Sequence, residues 1–165
     1  CHTISIGIES GDDEMLKKYS KLITVEQIQK AIELLARHKI RVLGYFILGL
    51  PGETRESALR TIKLAKSLEI DIASFSIATP DFGTRLRQEA IEKGWIPPEL
   101  ENFDSSESPM IFSGEMTAEE ILKLRKKAVR EFYLRPNYIA QKLRQVRSLR
   151  DIRILASNAV SLLRK

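Results

Sequence analysis

Three short segments, each closing an apolar run, hold residue types able to grip a small polar ligand. The first is Gly7-Ile8-Glu9-Ser10-Gly11. A carboxylate at the end of an isoleucine-rich stretch is awkward for stability, because burying a charge without partners is costly. Two readings of Glu9 stay open: a carboxylate facing solvent, or one accepting hydrogen bonds from the two hydroxyls of a ribose. The second segment runs from Gly44 to Thr54. Gly49 leaves room for a flat ring or a second backbone to approach. Pro51 and Gly52 set a tight turn, and Glu53 and Thr54 open a helix. An ordinary strand–turn–helix joint has the same ingredients. The segment is not a phosphate-binding P-loop, since the Gly-Lys-Ser/Thr ending is missing, and it does not match Gly-x-Gly-x-x-Gly. The third segment is Ile77-Ala78-Thr79-Pro80-Asp81-Phe82-Gly83-Thr84. Its small residues leave backbone amides and carbonyls at a strand end, suited to reading the edge of an adenine, although alone this is a weak signal.

These residues act together only if the chain brings the three segments to one place. Thr3–Glu9 alternates and is rich in isoleucine, the pattern of a strand. Gly11 ends it, Asp12 caps a short helix, and Asp13 and Glu14 fall in its first turn, where the dipole favours anions. Met15, Leu16 and Tyr19 give that helix an inner face. Thr24-Val25-Glu26-Gln27 is a capping box for a helix reaching about His38, with Ile28, Ala31, Ile32 and Leu35 turned inward. Val42–Leu48 is apolar almost throughout, which suits a parallel strand covered on both faces. Thr54 caps a helix with Ala58, Ile62, Ala65 and Leu68 on one side. Asp71–Ala78 makes a third strand, and Gly83-Thr84 opens a helix that Gly94 closes. Strand–helix repeated three times predicts a parallel sheet, and such sheets bind ligands at the carboxyl ends of their strands. All three segments fall there.

Residues 96–116 read as a loop. A second capping box, Thr117-Ala118-Glu119-Glu120, opens a helix carrying Ile121, Leu124, Ala128 and Phe132, which Pro136 ends. Two further amphipathic helices are expected, roughly over Asn137–Val146 and Leu149–Leu163.

With 43% apolar and 30% charged residues in 165, the chain has the makeup of one globular domain with its own core. No apolar run approaches the ~20 residues that cross a bilayer, and no secretory leader is visible, so the expected compartment is the cytoplasm. The single cysteine, Cys1, excludes a disulfide framework and any zinc or iron–sulfur site needing several thiolates from this chain. His2 and His38 are far apart and lack ligand-like neighbours, so no metal site is expected. Cys1–Glu9 begins without an initiator methionine and already looks like the middle of a strand, so a piece of a longer protein is expected. Residues 1–116 carry 14 Lys/Arg against 18 Asp/Glu, net −4, whereas residues 117–165 carry 13 against 4, net +9.

The order and spacing of GIESG (7–11), FILGLPGET (46–54) and TPDFGT (79–84) resemble the C-terminal half of the radical S-adenosylmethionine (radical SAM) superfamily. The likeness is greatest to the branch with an N-terminal cobalamin-binding domain, which includes the anaerobic magnesium-protoporphyrin IX monomethyl ester oxidative cyclases. It runs from Cys1 to about Trp95 and extends loosely to Phe132–Pro136. The resemblance implies an α/β fold: half of a (β/α)6 partial TIM-type barrel over 1–95, a linker over 96–116, and a basic helical extension over 117–165. It implies a parent enzyme that cleaves S-adenosylmethionine reductively to a 5′-deoxyadenosyl radical, acting on an organic substrate such as a tetrapyrrole or lipid. The [4Fe–4S] cluster would sit on a three-cysteine loop of the N-terminal half, and cobalamin is a further possible cofactor. The protein would position these groups while they carry the chemistry.

Carried onto this chain, the resemblance makes Glu9 the ribose ligand with Ser10 beside it. Lys21 would face the methionine carboxylate, Ile47 and Gly49 would pack on the adenine, and Ala78, Thr79 and Pro80 would meet its edge through backbone groups. No catalytic residue is implied in this half, and the half alone is expected to be inactive. Asp81-Phe82 stands where relatives often have Tyr-Pro. The expected partners are the missing half, a cobalamin-binding domain and a small organic substrate, with no membrane span. Two other readings stay open: a tRNA-modifying member of the same superfamily, and a non-catalytic module whose basic helices bind nucleic acid or a partner. A solvated basic face, or one covering the N-terminal domains, explains the same charge.

Overall fold

The computed structural model describes residues 1–96 and 115–145. The element order is β1 (Thr3–Glu9), α1 (Asp13–Lys18), α2 (Val25–Arg37), β2 (Arg41–Leu48), α3 (Arg55–Ser67), β3 (Ile72–Ile77), α4 (Arg85–Glu92), α5 (Ala118–Tyr133) and α6 (Pro136–Gln145). The expected strands and helices therefore form, with ends shifted by a residue or so. The interior of the 96–116 loop and the last expected helix, Leu149–Leu163, lie outside the described residues.

Local chemistry explains the boundaries. Asp12 accepts from the amides of Glu14 and Met15, and Thr54 and Thr84 accept from Ser57 and Arg87. Thr24 with Gln27, and Thr117 with Glu120, close both halves of a capping box. Pro136 does more than end a helix: it occupies the first position of α6, where its missing N–H costs nothing.

The strands pair in parallel in the order β1-β2-β3, the arrangement of half a (β/α)6 partial barrel. Ile8, Phe46, Leu48, Ala73, Phe75 and Ile77 point to one face, where α2, α3 and α5 cover them with Ile28, Ile32, Ala58, Ile62, Ile121, Leu124 and Phe132. Phe46 stacks on Phe75 at 5.1 Å between ring centroids, and Phe132 meets Phe75 edge-on at 6.3 Å.

Two expectations are corrected. Ala31 is exposed, and Val25 packs against the core from the first turn of α2 instead. β2 is not covered on both faces: Val42, Gly44, Phe46 and Leu48 are buried, while Leu43 and Ile47 are half-buried and Tyr45 is 42% exposed. α2, α3 and α5 lie on one face, while Met15 and Tyr19 of the α1 segment reach Ile47 on the other, so Leu43 and Tyr45 stay partly open.

The two edges of the sheet differ. Along the free edge of β3, the Tyr133 hydroxyl donates to Ala73 O at 2.8 Å and the Ala73 amide returns a bond at 3.3 Å. Arg125 Nε donates to Phe75 O at 2.9 Å. α5 thus plugs with side chains the groups that would otherwise template another strand.

Candidate functional site

The carboxyl ends of the three strands meet α1 and the loops that follow. β1 ends in a register irregularity between Gly7 and Glu9 against β2, and Glu9 adopts φ 65°. A glutamate rarely takes this left-handed conformation, and a bulge at a strand end re-aims a side chain. Here it turns the carboxylate back over Gly7, where a β-carbon would collide with Glu9 Oε1 and approach Lys21 Nζ. Lys21 Nζ lies 3.3 Å from Glu9 Oε1, and the two side chains are 37% and 29% exposed. Structure thus joins two expected site residues in a pair still open to solvent.

A second group gathers beside this pair. Ile47 and Ala78 pack with Met15, Leu50 and Tyr19 in a small apolar cluster separate from the main core. The Ala78 amide donates to Leu48 O at 2.8 Å, continuing the sheet, and Thr79 after it is half-buried.

The other expected site residues face inward. Ser10 is 1% exposed, its hydroxyl lies 3.3 Å from Thr61 Oγ1, and it accepts from the Asp12 amide at 3.2 Å. The Gly11 amide also donates to Thr61 Oγ1, at 2.9 Å. Ser10 and Gly11 therefore anchor the β1–α1 loop to α3. Gly49, at φ 81°, leaves room for the Ile121 side chain of α5, which a β-carbon there would crowd at 3.0 Å. Pro80 is buried, and its carbonyl accepts from Arg87 at 3.2 Å.

Several contacts that the sequence did not reveal hold this framework. Asp12, which caps α1, also pairs with the Arg60 guanidinium of α3. Burial works to raise the Asp12 carboxyl, but Arg60 and the amides of Met15 and Glu14 outweigh it and hold the group below the usual carboxylate range. The Pro51 carbonyl accepts two hydrogen bonds from α1's C-terminal end, from Lys18 Nζ and from the Tyr19 hydroxyl, both at 2.8 Å. Burial, aided by the charges of Glu89 and Glu53, pushes the Tyr19 phenol upward.

Glu53 is fully buried beneath the turn. Its Oε2 accepts from the Gly49 amide at 2.5 Å, while Oε1 has no hydrogen-bond partner. Burial pushes this carboxyl up to about 7 against the pull of the Gly49 and Leu50 amides, with Asp12 adding to the rise. Of these contacts only the Asp12 cap had a local signal, since it spans two or three positions. Thr61 and Arg60 are some fifty positions from their partners.

Among the described residues no three histidine, cysteine, aspartate or glutamate side chains gather closely enough to hold a metal ion, and no helix is long and apolar enough to cross a membrane.

Residues 1–65 match the family model of the radical SAM superfamily. An uncharacterized methyltransferase of Pyrococcus horikoshii is 40% identical over 139 residues, which cover 84% of this chain and 30% of the relative. An anaerobic magnesium-protoporphyrin IX monomethyl ester cyclase of Cereibacter sphaeroides is 31% identical over 136 residues, 80% of this chain and 21% of the relative. A probable threonylcarbamoyladenosine tRNA methylthiotransferase of Pyrococcus horikoshii is 28% identical over 98 residues, 58% and 23%. The chain spans less than a third of each of these relatives.

Proposed function

The chain belongs to the radical SAM superfamily, and on that premise we propose that it supplies the ribose and adenine side of an S-adenosylmethionine site in a larger enzyme. The observation that carries this reading is the half-exposed Glu9–Lys21 pair beside the apolar Ile47–Ala78 cluster. A ribose presents two adjacent hydroxyls, and a carboxylate with free lone pairs accepts both. An amino-acid carboxylate seeks a cation, and Lys21 stands ready for one. The flat face of an adenine loses water against half-buried Ile47, which Ala78 backs from within the cluster, and backbone groups near Ala78 and Thr79 are left to meet its edge. The residues present therefore fit the cofactor. Ser10, Gly49 and Pro80 support the framework from behind, since their neighbours occupy them.

The same test fails for an iron–sulfur cluster. The chain's one cysteine, Cys1, is exposed at its first residue, so cluster ligands must come from elsewhere in the parent. When bound, S-adenosylmethionine supplies radical chemistry after one-electron reduction by such a cluster. This chain's own work is to bind, orient and shield. We assign the parent a small organic substrate, supported by relatives named as a cyclase and a methyltransferase. The open face of the sheet, with Leu43, Tyr45 and Ile47, is where the rest of the barrel would lie.

Glu9→Gln in the full-length protein tests the reading. Calorimetric titration should show S-adenosylmethionine affinity reduced about tenfold or more, because hydrogen bonds to a charged group contribute roughly 1.5–3 kcal/mol. The melting temperature should hardly move, since a part-exposed ion pair adds little stability. Unchanged affinity would remove Glu9 from the site.

A further inference from the structure

The helix α1 touches both sides of the proposed site. Lys21, three residues beyond its end, pairs with Glu9 at the tip of β1. Tyr19, at its C-terminal cap, packs its ring into the cluster of Ile47, Leu50 and Ala78 at the tips of β2 and β3. Between these contacts, Lys18 and Tyr19 both donate to the Pro51 carbonyl at 2.8 Å. Pro51 is itself buried, and among the described residues these two donors replace water at its carbonyl; an unsatisfied buried acceptor is costly. Lys18 Nζ also fills the space over Gly52, where a β-carbon would strike it. The N-terminal end of α1 is fixed independently, by the Asp12–Arg60 pair to α3. A short helix is thus pinned at one end to the helical layer and stapled at the other to the turn that carries Leu50.

We infer that Lys18 and Tyr19 are positioning residues for the cofactor: through the Pro51 carbonyl they set the apolar wall of Ile47, Leu50 and Ala78 at its working distance from the Glu9–Lys21 pair. The inference rests on the ribose and adenine reading given above. Neither residue needs to touch the cofactor. If the staple is cut, the Leu50–Pro51 turn is free to drift from α1, and the gap between wall and carboxylate is no longer held. Small displacements of this kind weaken a bound ligand strongly, because preorganisation is lost along with the contacts.

The test uses the full-length, cluster-loaded protein with three readouts: S-adenosylmethionine affinity by calorimetry, KM against kcat for cofactor cleavage, and the melting temperature. Tyr19→Phe removes only the hydroxyl and keeps the ring in the cluster; Lys18→Met removes the ammonium; Lys18→Arg keeps a donor. Tyr133→Phe is the structural control, since it deletes a tyrosine bond of the same 2.8 Å length on the far edge of the sheet. Each of the first two variants should weaken binding and raise KM about fivefold, with kcat within about twofold. Lys18→Arg should restore most of the affinity. Tyr133→Phe should lower the melting temperature and leave affinity intact.

If Glu9→Gln weakens binding while Tyr19→Phe and Lys18→Met do not, the positioning role is overturned and the site reading survives. If affinity falls only in proportion to stability, in Tyr133→Phe as much as in Tyr19→Phe, the role is overturned as well. If Glu9→Gln is also without effect, the site reading itself falls and takes this inference with it.

Discussion

The carboxylate of Glu9 lies over the α-carbon of Gly7, in the volume a β-carbon there would occupy. The two residues are neighbours on the same strand face, and the bulge between them bends the longer side chain back onto the shorter. An acidic group is thereby held at the mouth of the sheet, half in water, with Lys21 as its partner. The arrangement needs the glycine as much as the glutamate.

Gly7→Ala should therefore behave as a binding variant. The backbone at Gly7 lies outside the left-handed region, so alanine fits the chain itself, and the added methyl group acts by displacing the Glu9 carboxylate. S-adenosylmethionine affinity of the full-length protein should drop about tenfold, while stability changes by only about 1 kcal/mol. Calorimetry alongside thermal melts checks this. A large loss of stability with unchanged affinity would show that Gly7 serves packing alone.

Glu53 makes the stability of the chain depend on pH in an unusual direction. Its carboxyl is raised in the folded state to about 7 from an ordinary value of 4.5. Between these values the folded chain holds a proton that the unfolded chain has released, so this group's contribution falls as pH rises from about 4.5 to about 7 and then levels off. The full effect is on the order of 3 kcal/mol. Glu53→Gln imitates the protonated form and should flatten that slope. Melting temperatures measured from pH 4.5 to pH 8 for both proteins check it; an equal slope in the variant would place the titration elsewhere.

Tyr133 and Arg125 should matter for solubility. Tyr133→Phe together with Arg125→Met would bare the Ala73 and Phe75 groups on the edge of β3 that α5 now occupies. Exposed edges template strand pairing, so light scattering at rising protein concentration should detect more association in the double variant than in the unaltered protein. A monomeric double variant would show that the bulk of α5, and not its polar side chains, protects the edge.

Much of the framework was legible before any coordinates. Strand and helix positions followed from period and caps: Asp12, Thr24, Thr54, Thr84 and Thr117 all serve as N-caps, because capping is a contact between residues two or three positions apart. Less legible were the faces. Gly49 looked like space for a ring or a second backbone, and nothing near it in sequence foretold that Ile121, some seventy positions later, packs there. Ser10 looked like a companion to Glu9, but Thr61 draws its hydroxyl inward. Nothing local distinguishes a small residue that admits a ligand from one that admits a neighbour.

By itself the sequence determined the parallel strand–helix order, the convergence of three unusual strand ends, and the presence of a carboxylate and a lysine among them. These depend on periodicity and on short-range hydrogen bonds, which a linear pattern records. Only the tertiary structure decided that Glu9 and Lys21 form one pair, that Ile47 and Ala78 share one apolar cluster, and that Ser10 and Gly49 pack against Thr61 and Ile121. It alone showed that α1 staples the two sides together through Pro51. Those outcomes come from packing between residues twelve to about seventy positions apart, where one helix layer and one bulge choose which side chains face water.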